Sequence, residues 1–377
     1  MPDWSYQTVF RPLLFRLRPQ MARSIALGGM GALARLPLGR GVIQLMGHMQ
    51  PDARLAIERN EICFPSQVGL GCRLDPHLLG SPALAEFGFG FLEIGPIVVE
   101  PPPGLGELCM DAADETIHFA APLAAISAAV ARERLEQDGP FKQPLSARLE
   151  PASAEEAEQM VALLADRVDG FVAPVNVLKH MHGALASHQH NALLEGPALF
   201  VAVDAKTWQD ASQSDLCVSA IRAGQVAGIV VGDEAAPDEE IRIGKAGFQA
   251  ALQTVREMRE QFGGEPIIIS SVGVHSPADA LEYIEAGGDL VQVDSGLVFA
   301  GPGLPKRINA ALLYRRQITA DAPAKASAET AVRLGGQAWF WALMMGLSML
   351  IGGTLAMLIA TTRVVMPYDE SMAGLTR

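Results

Sequence analysis

The chain has 377 residues, 49% hydrophobic and 19% charged, enough for one large domain or two ordinary ones. Its formal net charge of −13 argues against a nucleic-acid partner, because a phosphate backbone recruits cations. Cys63, Cys72, Cys109 and Cys217 stand apart with no CxxC pair, which argues against a disulfide framework or a zinc ribbon and for a reducing compartment.

Residues 1–50 carry Arg11, Arg16, Arg18, Arg23, Arg35 and Arg40, with no acidic residue after Asp3. Between the arginines lie Phe10, Leu13, Leu14, Leu17, Ile25, Leu27, Met30 and Leu33, interrupted by Pro12, Pro19 and Pro37. The pattern predicts short basic amphipathic helices joined by proline turns, suited to lying on an anionic membrane surface. The same apolar faces would equally serve as a cap on the main domain. No apolar core with a small-residue cleavage site follows the N-terminus, so no secretory signal is expected.

Residues 51–316 alternate strand and helix. Short apolar runs at 91–99, 169–174, 199–203, 227–231, 266–270 and 289–293 read as buried strands, and 154–167, 248–262 and 277–285 as amphipathic helices. Repeated strand and helix units imply a parallel sheet, open or closed, and periodicity alone does not choose. At 317–336 the composition shifts to small residues, a linker.

Residues 338–360 (AWFWALMMGLSMLIGGTLAMLIA) hold no charge. As a helix they would reach roughly 34 Å, enough for a hydrocarbon core of about 30 Å. Trp339 and Trp341 stand where an interfacial belt belongs, so a transmembrane helix over 337–362 is expected, a buried helix of a soluble core being the alternative. The basic residues upstream put the main domain on the cytoplasmic side of an inner membrane, and the tail, 363–377, outside. Membrane lipid, and a membrane protein meeting the C-terminal helix, are then the expected partners.

The last two units are the most informative. Residues 266–308 read PIIISSVGVHSPADALEYIEAGGDLVQVDSGLVFAGPGLPKRI. A strand ends in a turn around Gly273 and Val274, a helix follows Ser276, and a second strand ends at Asp294, Ser295 and Gly296. Backbone N–H groups at two such strand ends can hold a phosphate, as near strands 7 and 8 of a (β/α)8 barrel. This stretch resembles the dihydroorotate dehydrogenases, above all the membrane-associated, quinone-dependent class. The runs GLGCRLD (69–75) and FGFGFLEIGPIVVEPPPG (87–104) are similar to that family's first two strands, and the likeness extends over roughly residues 5–315. It implies a (β/α)8 TIM barrel with N-terminal membrane-associated helices that form a quinone tunnel, FMN as cofactor and membrane quinone as electron acceptor. The implied flavin-binding residues are Gly71, Cys72, Asp75, Gly95, Gly273, Val274, Asp294, Ser295 and Gly296. The transmembrane tail lies outside the family's usual pattern.

The departures fall on the chemistry. Where the family has a flavin-touching lysine this chain has Pro76, followed by His77. TIHFAAPLA (116–124) stands in place of the substrate-binding asparagine motif, and LSAR (145–148) in place of Asn-Ile-Gly-Lys, leaving Arg148 as the only cation there. A lysine expected in LFVAVDA is absent, and Gly232 and Asp233 replace an Asn-Thr pair. The catalytic-serine loop is replaced by a stretch containing HMHGALASHQH (180–190). His180 and His182 could serve there as bases beside a carbonyl. A metal site made with His188 and His190, or a solvated segment without chemistry, are the other readings. Two functions follow: a divergent flavin oxidoreductase that oxidises a small substrate, dihydroorotate by resemblance, and passes electrons to quinone; or a degenerate barrel serving as a membrane-tethered subunit. A third, binding of another phosphate ligand in the same barrel, has no dedicated motif.

Overall fold

The structure, a computed structural model, describes residues 6–47, 50–191, 196–232 and 239–321. The uncharged run at 338–360 and the tail lie outside the described residues, and among these no helix is long and apolar enough to cross a membrane.

Eight parallel strands form the centre: β1 Val68–Leu70, β2 Phe91–Val98, β3 Leu145–Leu149, β4 Gly170–Pro174, β5 Ala198–Val203, β6 Gly228–Val231, β7 Ile267–Ser270 and β8 Leu290–Val293. Each pairs with the next, from Gly69↔Phe91 round to Ile269↔Leu290, and β8 returns to β1 through Val291↔Val68. The open-or-closed question is thereby settled as a closed (β/α)8 ring. Strands β6, β7 and β8 are buried along their whole length, which is why their sequences are mostly apolar rather than alternating.

The helices that follow β2 to β8 are α3 Ala128–Asp138, α4 Ala154–Leu164, α5 Leu178–Asn191, α6 Ala211–Arg222, α7 Phe248–Phe262, α8 Pro277–Glu285, α9 Ser295–Phe299 and α10 Leu304–Asp321. Their inner faces bury Met160, Leu164, Met181, Val255, Met258 and Tyr283 completely against the strands, about 1.5–3 kcal/mol for each such side chain. Helix α8 opens with a capping box, in which Ser276 Oγ accepts from Asp279 N and Asp279 Oδ2 accepts from Ser276 N. Helix α10 runs to Asp321, past the expected linker start at 317.

The N-terminal end of the ring is packed by Val172, Phe200, Val230, Ile267 and Leu290. A hairpin, Ile57–Arg59 with Ile62–Phe64, closes it, Phe64 standing edge-on to Phe91 at 5.6 Å. At the other end a three-stranded antiparallel sheet, Leu108–Asp111, Thr116–Phe119 and Ile241–Gly244, adds Ile243 to the mouth.

The N-terminal helices, α1 Pro19–Arg35 and α2 Gly39–Gly47, also pack on the barrel. Gly31 lets α1 approach the 79–81 turn, since a Cβ there would sit 1.9 Å from the Leu79 carbonyl oxygen. Arg35 holds the buried Asp138 carboxylate with two N–H groups at 2.8 and 2.6 Å. The other face stays apolar and exposed at Met21, Leu36 and Leu38, the last 86% accessible. The N-terminal segment therefore caps the barrel with one side and leaves apolar side chains exposed on the other.

Candidate active site

The C-terminal end of the ring, where barrels assemble their chemistry, carries two polar clusters. The first lies at the centre. Glu93 and Gln292 are the lone polar residues in the apolar runs of β2 and β8, Arg148 lies beside Ala147 in β3, and all three are buried. Arg148 Nε donates to Glu93 Oε1 at 2.6 Å, and Gln292 Nε2 donates to Glu93 Oε2 at 2.7 Å. Both carboxylate oxygens are thus engaged, as a buried charge requires.

Asp294, one residue beyond β8, presses against the backbone of residue 71, where a Cβ would lie 2.2 Å from its Oδ2. Ser271 Oγ donates weakly to that oxygen at 3.4 Å, and Oδ1 is buried with no hydrogen-bond partner among the described residues. Burial, then the Glu93 charge, push the Asp294 carboxyl up to about 7. Burial and Glu93 also hold the Cys72 thiol well above its ordinary range. Arg73 is buried beside them, its Nη2 4.0 Å from Glu150 Oε1. These side chains leave a cavity of about 10 Å³, room for about one water.

The second cluster is where β7 and β8 end. Gly273, at φ +67°, turns the chain, and a Cβ on Gly296 would lie 2.1 Å from the Val274 carbonyl oxygen. The two turns therefore meet backbone to backbone, as a phosphate cradle would require. The His275 imidazole links the first turn to the second. Its Nε2 is 2.7 Å from Ser295 Oγ and its Nδ1 is 2.8 Å from Glu115 Oε2. The Phe299 ring stacks on it at 5.6 Å. Asp279 Oδ2 accepts from the His275 and Ser276 N–H groups at 2.9 and 2.7 Å, and Asp279 Oδ1 meets Lys245 Nζ at 2.5 Å. Burial lowers the His275 pKa, against the Glu115 hydrogen bond, which raises it.

The family profile described as dihydroorotate dehydrogenase matches residues 244–315, from the end of the strand Ile241–Gly244 through α7, the Gly273 turn and α9 into α10. Proteins named dihydroorotate dehydrogenase (quinone) align along most of the chain. That of Kineococcus radiotolerans is 26% identical, covering 81% of this chain and 93% of the relative; that of Chloroflexus aurantiacus is 27% identical, covering 83% and 97%. The chain is similar to the quinone-dependent dihydroorotate dehydrogenases along most of its length. Among solved structures, the crystal structure of Eimeria tenella DHODH in complex with ferulenol superposes with a TM-score of 0.66 at 18% identity, covering 81% of this chain and 95% of that one, a likeness of fold.

The likeness to these proteins raises FMN as a cofactor, and the mouth can be tested for it. The fused rings of a flavin need a pocket of several hundred Å³, whereas the centre of this mouth offers about 10 Å³ between charged side chains already bonded to one another. At the phosphate turns the Ser295 hydroxyl is held by His275, and the carboxylates of Glu115 and Asp279 stand close by, unfavourable for a dianion. The residues present do not fit the cofactor in this arrangement.

The residues read from the sequence separate accordingly. Gly71, Cys72, Gly273, Val274, Asp294, Ser295 and Gly296 gather around the mouth and its turns. Asp75 does not take part, because its carboxylate accepts from Leu79 N, Gly80 N and Ser81 Oγ at 2.8–2.9 Å and so fixes the turn after β1. Gly95, at φ +116°, sits where the β2–β3 register slips, close to the Arg148 carbonyl. The histidine stretch is helical: His180 and His182 lie on α5 in the outer layer, His182 exposed and His180 half-buried near Glu155 at the start of α4. They join neither cluster, and no group of three metal-ligating side chains exists among the described residues. The side chains of His190 and Asp233 lie outside the described residues. Glu93, Gln292 and Glu115 were missed in the sequence. For the first two the available signal was a lone polar residue inside a buried strand.

Proposed function

We propose that this protein keeps the barrel of the quinone-linked dihydroorotate dehydrogenases without their flavin chemistry, and serves as a membrane-attached component of a larger assembly. The supporting observation is the closed mouth: Glu93, Arg148 and Gln292 satisfy one another at its centre, and His275 engages the Ser295 hydroxyl at the phosphate turns. Membrane attachment is supported by the basic N-terminal helices, with Met21, Leu36 and Leu38 exposed, and by the uncharged run at 338–360. On this reading the barrel lies on the cytoplasmic side of an inner membrane, and a second membrane protein meets the C-terminal run.

A second reading is favoured by the contact of the two turns, which are placed as a phosphate site needs them, and by the relatives' names. In it the mouth opens for FMN, and the protein oxidises dihydroorotate at the expense of membrane quinone, in pyrimidine biosynthesis. A turnover assay separates the two. Full-length protein in detergent, supplied with FMN, dihydroorotate and a soluble quinone, should reduce no quinone above a protein-free blank. Dihydroorotate-dependent reduction would overturn the first reading and establish the second.

A further inference from the structure

Glu115, His275 and Ser295 come from three separate segments: the tip of the hairpin Leu108–Asp111/Thr116–Phe119, the turn after β7 and the first residue of α9. Nothing in barrel packing requires a serine, an imidazole and a carboxylate in line. The distances are those of a nucleophile, its base and the group that orients the base: 2.7 Å from Ser295 Oγ to His275 Nε2 and 2.8 Å from His275 Nδ1 to Glu115 Oε2. An ionised carboxylate only accepts, so the neutral ring carries its proton on Nδ1 and turns the Nε2 lone pair toward the serine hydroxyl. Burial keeps the ring neutral near pH 7, the state a base needs. Glu115 faces His275 directly, while Asp279 and Lys245 pair with each other on its backbone side.

The surroundings indicate what such a serine would meet. Phe299 covers the imidazole, Phe15 stands edge-on to Phe299 at 6.1 Å, and Ile117, Phe119 and Ile243 complete an apolar wall. The N-terminal segment is the cover: Tyr6 Oη donates to the Val298 carbonyl, and Gln7 Nε2 to those of Phe299 and Ala300. Ser295 itself is only 2% exposed, so a substrate reaches it when this segment moves. The same segment carries Arg11 and Arg16 and the exposed Val9, features that attract it to an anionic surface.

We propose that Ser295, His275 and Glu115 form a serine nucleophile site for esters of apolar carboxylic acids, opened when the N-terminal segment is drawn onto a membrane or micelle. Ser295 Oγ bonds to the ester carbonyl carbon while its proton passes to His275 Nε2. The ester C–O bond breaks, and the alcohol leaves with that proton. Water then attacks the acyl-serine, His275 takes its proton and returns it to Ser295 Oγ, and the acid is released. Ester and water go in; alcohol and acid come out. Glu115 touches no substrate and acts as a positioning residue. The site rests on the reading that flavin phosphate does not occupy the Ser295 hydroxyl.

The test uses full-length protein in detergent micelles and on anionic phospholipid vesicles, with an alkyl fluorophosphonate as covalent probe and p-nitrophenyl octanoate as chromogenic ester. Peptide mass mapping should place the phosphonate on Ser295. Ser295→Ala should abolish labelling, and His275→Gln should slow both labelling and hydrolysis by at least about 100-fold while folding as the parent does. Glu115→Gln removes the contact that raises the His275 pKa, so the acid limb of the rate profile should move to lower pH, which a merely structural glutamate would not cause. Absence of phosphonate on Ser295 in both micelles and vesicles overturns the proposal, as does labelling that proceeds at the parent rate in His275→Gln. Flavin absorbance of the same sample reports separately on the closed mouth: flavin bands with no label would point to the dehydrogenase reading, and neither signal would remove the esterase site alone.

Discussion

The Asp294→Asn substitution isolates the electrostatics of the closed mouth. Burial and Glu93 push this carboxyl from an ordinary 3.8 up to about 7. Three pKa units at about 1.4 kcal/mol each correspond to ~4 kcal/mol. The sign follows from proton binding. Between about pH 4 and pH 7 the folded protein holds a proton here that the unfolded chain has released, so stability falls as pH rises through that window. An asparagine carries no charge to bury and has nearly the same shape. Urea unfolding of both proteins from pH 4 to pH 8, read as the difference between the two curves, cancels every other titrating group. The variant should gain on the parent as pH rises, reaching up to ~4 kcal/mol above pH 7, with the two nearly equal at pH 4. A difference that does not change with pH, or a variant that loses stability at pH 8, would refute the burial of this charge.

Three further sets of substitutions probe other features. Arg148→Met leaves the Glu93 carboxylate buried and half-partnered and should cost about 3–5 kcal/mol in thermal or urea unfolding, with much of it recovered when Glu93→Gln is added. Gly296→Ala drives a Cβ into the Val274 carbonyl and should cost about 1–3 kcal/mol by the same measurement; a neutral variant would separate the two turns. Leu36→Asp with Leu38→Asp should leave stability within about 0.5 kcal/mol while reducing sedimentation with anionic vesicles, binding that added salt also weakens.

How much was legible in the sequence depends on which residues faced which way. Runs such as IIIS and GIVV are apolar because both of their faces are covered, so the strands at 267–270 and 228–231 could be placed to within a residue. Ring closure could not be read from periodicity, since open and closed parallel sheets bury the same pattern; it came from the resemblance around Gly273 and Asp294. The dense histidines mask a helical pattern: Leu178, Met181, Ala184 and Leu185 carry the inner face of a helix whose polar side holds the histidines. The mouth was half-legible. Asp294, Ser295 and Gly296 stood out by motif, but the partners that close it, Glu93 with Arg148 and Glu115 with His275, are 55 and 160 residues apart and meet only through the fold.

Titration of the purified full-length protein with FMN, followed by quenching of flavin fluorescence, tests the closed mouth most directly. No saturable quenching is expected into the high micromolar range, because the site would have to break the Glu93–Arg148 pair and the His275–Ser295 contact before a ring or a phosphate could enter. One-to-one binding at a Kd near 1 µM, worth roughly 8 kcal/mol, would show that the mouth opens and holds the cofactor of its relatives.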